Sequence, residues 1–86
     1  MRSNEDIQRI IREGLSPVDV VIEIKDYDSK IGFTAKSKGG PPIPLFDGEP
    51  LDALRDGDKL YILIRAARKR LRRRGLELDD WEHENT

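Results

Sequence analysis

Eighty-six residues carry 16 Lys or Arg, 17 Asp or Glu and one His, a formal net charge of −1, with no cysteine. A chain of this size builds one small domain that hides only about 60–65% of its unfolded surface, so self-association as a homo-oligomer would supplement its core. The missing cysteines exclude disulfides, thiolate metal sites and a cysteine nucleophile, and no apolar run approaches the ~18 residues of a membrane span; with no secretion signal in MRSNEDIQRI, a cytoplasmic protein is expected.

The first predicted element is a helix. Ser3 is placed to cap it with Asp6 as a shortened capping-box partner, and Ile7, Ile10, Ile11 and Leu15 recur on one face. Gly14 is expected to close it in the left-handed conformation, and Ser16-Pro17 prevents its continuation. From Val18 the period becomes two: Val18, Val20, Ile22 and Ile24 share a face, DYDSK turns the chain, and Ile31, Phe33 and Ala35 alternate on the return. Residues 18–37 therefore read as an antiparallel hairpin.

Residues 38–50, KGGPPIPLFDGEP, read as a stiff proline-rich connector, within which Ile43 to Phe46 could form a short edge strand. Asp58 to Arg65 fits two templates. As a strand it turns Leu60, Ile62 and Ile64 inward; as a helix it runs Leu60, Ile64, Ala67 and Leu71 in one stripe. Its β-branched content and the preceding RDGD turn favour a third strand, followed by a basic helix over Ala66 to Arg74 that Gly75 ends.

FDGEPLDALRDGDKLYILIR, residues 46–65, resembles the last strands of ubiquitin-like domains, where a G-x-x-L turn leads to a strand and an Arg-rich terminus. The resemblance covers about a quarter of the chain, which lacks the crossing helix and terminal Gly-Gly of that family. LRDGDKLYI also resembles the second half of swapped-hairpin DNA-binding antitoxins. Neither phrase assigns a family.

Residues that could carry a reaction are few. The single His83 lies among acids four residues from the C-terminus, a poor place for general-base chemistry. Asp26 and Asp28 open like a calcium loop, but Lys30 stands where the third ligand belongs. Gly39-Gly40 is followed by prolines and by no phosphate-loop Lys-Ser or Lys-Thr. The expectation is therefore a non-enzyme with neither cofactor nor metal.

The strongest signal is charge segregation. Arg65, Arg68, Lys69, Arg70, Arg72, Arg73 and Arg74 place seven cations in ten residues, and the twelve residues after them hold five carboxylates and no base. Arginine forks suit phosphate or carboxylate, so an anionic partner is expected. The reading is one α+β domain over residues 1–75, with an N-terminal helix, a hairpin plus third strand and a basic C-terminal helix, followed by an acidic tail over 76–86. Its function would be regulatory binding of a nucleic-acid backbone, DNA or RNA, by the arginine helix. The alternative is a protein-interaction module or inhibitor that docks an acidic protein surface through that helix or through Trp81 in the tail.

Overall fold

A computed structural model describes residues 1–84; residues 85 and 86, the end of the expected acidic tail, lie outside the described residues. Helix α1 spans Asn4–Gly14, strands β1, β2 and β3 span Val20–Lys25, Lys30–Ala35 and Ile43–Pro50, a 3-10 turn covers Leu51–Leu54, and helix α2 spans Lys59–Arg73. The architecture is α+β, a three-stranded antiparallel sheet in the order β1-β2-β3 with two helices.

Ser3 and Asp6 form the capping box: the Asp6 amide donates to Ser3 Oγ at 3.1 Å and the Ser3 amide to Asp6 Oδ2 at 3.2 Å. These bonds supply partners to amides that the first helical turn leaves unused, and they hold the Asp6 carboxyl below its usual range. Ile7, Ile11 and Leu15 are fully buried on the inner face of α1. Gly14 has another role than the one expected, because it does not adopt a left-handed conformation. A Cβ there would lie 2.6 Å from Ile64 Cγ2 and 3.2 Å from Trp81, so the glycine permits close packing of α1 on α2 and the C-terminal segment.

The hairpin forms in register, with Val20 opposite Ala35 and Lys25 opposite Lys30. β3 is longer than the short edge strand the sequence suggests. Its pairing with β2 shifts on either side of Phe33, and Gly48, at φ +73°, falls where the first extra residue is absorbed. Proline is tolerated because β3 is a sheet edge, where an amide is not required on the solvent side.

The segment 58–65 is not a strand. Lys59 opens α2, which continues without interruption into the basic run. Leu63 is 6% exposed and Ile62 is 49% exposed, the reverse of what a strand with Leu60, Ile62 and Ile64 inward would give. Residues 60, 63, 64, 67 and 71 form a helical stripe that covers the sheet core, and β3 already holds the third-strand position, so packing overrides the β-propensity of Ile62 and Ile64. Leu76, Leu78 and Trp81, after α2, pack against the same core.

Candidate functional site

The seven cations of α2 and its C-cap do not form one solvated surface. Arg68 follows Ile64 by four residues and precedes Leu71 by three, which places it on the buried stripe, and only 1% of it is exposed. Its guanidinium serves three acceptors in two chain segments at once. Nη1 donates to the Gly14 carbonyl at 2.6 Å, Nη2 to the Asp79 carbonyl at 2.7 Å, and Nε to Glu84 Oε2 at 2.5 Å. The planar fork thus ties the end of α1 and the C-terminal segment to α2.

Neighbouring arginines extend this clasp. Arg72 makes an ion pair with the other oxygen of Glu84, and Arg65 donates to the His83 carbonyl at 3.0 Å. Burial raises the Glu84 carboxyl pKa, but the hydrogen bonds from Arg72 and Arg68 outweigh it, leaving the group below the usual glutamate range. The His83 ring stacks on Tyr61 with centroids 4.0 Å apart, and Trp81 meets it edge-on at 5.3 Å. Trp81, the partner anchor of the alternative reading, is half-buried against the core and has the Arg68 guanidinium 5.7 Å from its ring centre. Ser16 Oγ donates to Asp79 Oδ2 at 3.1 Å, a further tie between the C-terminal segment and the end of α1.

Arg70 turns the other way. Its Nη1 donates to the carbonyls of Pro44 and Leu45 at 3.0 and 3.1 Å, which fastens α2 to edge strand β3. Lys69, Arg73 and Arg74 remain, all exposed and without an ion pair among the described residues.

Arg74 opens onto a groove of about 630 Å³ at the end of the sheet remote from the hairpin tip, together with Lys36 and Lys38 from the segment after β2. Val18, Ile43 and Leu76 supply its apolar lining, and Asp19 and Glu77 also border it. Lys36 and Lys38, like Arg74, have no ion pair among the described residues. Sequence reasoning missed these two lysines. Their signal was two alternating cations in AKSKGG, a weak one until the fold brings them to the end of α2.

Other expectations find their places. Asp26, Tyr27 and Asp28 all take positive φ in the hairpin turn, with Tyr27 fully exposed, whereas Phe33 is buried against Phe46. Among the described residues no three acidic or imidazole side chains converge as a metal site would require, and no helix is long and apolar enough to cross a membrane. No family model, curated protein or solved structure matches the chain, so the functional argument rests on this geometry.

Proposed function

We propose that this is a non-enzymatic, regulatory nucleic-acid-binding protein whose phosphate-contacting surface lies at the C-terminal end of α2. The observation that carries the reading is the division of labour among the cations. Arg65, Arg68, Arg70 and Arg72 are engaged within the fold, while Lys69, Arg73 and Arg74 face solvent and Arg74 shares a groove with Lys36 and Lys38. Exposed, uncompensated cations gathered from two segments attract a polyanion without giving up internal bonds.

Anisotropy of a labelled oligonucleotide titrated at several salt concentrations tests this. Five engaged cations on a single strand predict log affinity falling with log salt at a slope of about −3.5, from roughly −0.7 per phosphate. Arg73→Gln with Arg74→Gln should lower affinity and flatten the slope by about 1.4 with an unchanged circular dichroism spectrum. Absence of binding at low salt refutes the proposal.

One observation favours the alternative of a protein-interaction module. Ile62 is 49% exposed. Together with Ala66 it lines a hollow of about 480 Å³ bordered by Arg65, Lys69, Arg72 and Glu84, a surface of mixed charge that offers a partner one apolar anchor.

A further inference from the structure

The groove beside Arg74 is more than a patch of positive charge. Three cations, Lys36, Lys38 and Arg74, share the groove with an apolar lining in which Val18 and Leu76 are partly buried against the core and keep some surface open. Its volume of about 630 Å³ lies within the ~300–1,000 Å³ of small-molecule sites. Phosphate contact alone would leave that apolar surface in water. A duplex cannot use it, because its bases are stacked and paired inside.

We propose that the groove takes one unpaired base of a single strand, with the flanking phosphates on Lys36, Lys38 and Arg74. The proposal rests on the nucleic-acid reading above and narrows its ligand to single strands. Asp19 and Glu77 decide between this occupant and an acidic peptide. Their carboxylates repel a ligand that carries negative charge along its whole length. A nucleotide confines its charge to the phosphate and presents a neutral, flat ring whose exocyclic amino groups can donate to a carboxylate. Cations, apolar side chains and carboxylates in one groove offer partners for the phosphate, the ring and the amino groups of a nucleotide. The single aromatic at the hairpin tip, Tyr27, lies at the opposite end of the sheet and plays no part in this contact.

The test compares a labelled twelve-nucleotide deoxy strand with the same strand annealed to its complement, by anisotropy at low salt on the full chain. The single strand should bind about fivefold more tightly, as expected from burying roughly 40 Å² of apolar surface against the groove. Lys36→Gln with Lys38→Gln, two exposed positions, should weaken single-strand binding, flatten its salt slope by about 1.4 and abolish the preference over duplex. Val18→Asn should reduce the preference while leaving the slope unchanged, since it alters the lining and no cation. Equal or tighter duplex binding, or a lysine variant that weakens both forms alike, overturns the groove assignment and leaves the broader phosphate reading standing. If neither nucleic acid binds, both readings are overturned. Competition by polyglutamate as effective as that of the unlabelled strand would assign the groove to an acidic peptide and overturn the base.

Discussion

Replacing Arg68 by Met removes a side chain that hydrogen-bonds from α2 to both the end of α1 and the C-terminal segment. Methionine matches the length of the arginine stem but donates nothing, so the Gly14 and Asp79 carbonyls lose their guanidinium donors and Glu84 keeps only Arg72. Charge-assisted hydrogen bonds contribute about 1.5–3 kcal/mol each, and their simple sum overstates the loss because the three share one group. The cost of removing one partner from a buried ion pair, about 3–5 kcal/mol, is the better guide at a site where Arg68 is 1% and Glu84 20% exposed. A domain of 86 residues has roughly 4–13 kcal/mol in total. The variant should therefore be severely destabilised, with Tm lowered on the order of 20 °C at roughly 4–8 °C per kcal/mol.

Urea unfolding followed by Trp81 fluorescence and by far-UV circular dichroism measures this loss. Arg68→Lys keeps the charge but cannot present a planar fork to three acceptors, so it should recover only part of the stability. Adding Glu84→Gln to Arg68→Met should restore about 1–2 kcal/mol, because no partly buried carboxylate is then left with one of its two guanidinium partners missing. A loss below about 1 kcal/mol in Arg68→Met, with an unchanged m-value, would mean that the clasp contributes little and that the C-terminal segment is held by its apolar side chains alone.

The Glu84 carboxyl also carries a pH dependence. Its folded-state pKa is lowered, so its contribution is fully present above the unfolded glutamate value of about 4.3 and is lost as pH falls through the lower folded value. Urea midpoints of the native chain should fall in that acid range more steeply than those of Glu84→Gln, and parallel curves would contradict the sign. Gly14→Ala places a methyl group against Ile64 and Trp81 and should cost about 1–3 kcal/mol by overpacking, measured by the same unfolding curves. A neutral or stabilising result would show that the α1–α2 contact can yield.

Short-range patterns made α1 and the hairpin legible: a capping box four residues long and an alternation that lasts a whole strand leave little for tertiary structure to decide. β3 was only partly visible, because its prolines lower the apparent strand signal at an edge where they are harmless. The segment 58–65 was ambiguous for a specific reason. Leu60 and Ile64 face inward in both templates, so only Leu63 against Ile62 distinguishes them, and that choice depends on what the sheet offers in return.

The basic run illustrates a deeper limit of reading charge along a chain. Arg68 falls in register with Leu60, Ile64 and Leu71, and that spacing alone could have marked it as buried. Its acceptors could not be read, since Gly14 lies 54 residues away and acts through its backbone. The acidic segment that seemed a diffuse counterweight instead engages Arg68 and Arg72 at one carboxylate, while the Asp79 and His83 carbonyls accept from Arg68 and Arg65. Because the clasp occupies Arg65, Arg68 and Arg72 and β3 engages Arg70, the remaining cations of the run, without an ion pair among the described residues, are Lys69 and, at the C-terminal end of α2, Arg73 and Arg74, the last beside Lys36 and Lys38. Folding thus divides a run of seven similar residues into cations engaged within the fold and cations left facing solvent, according to which face of one helix each side chain occupies.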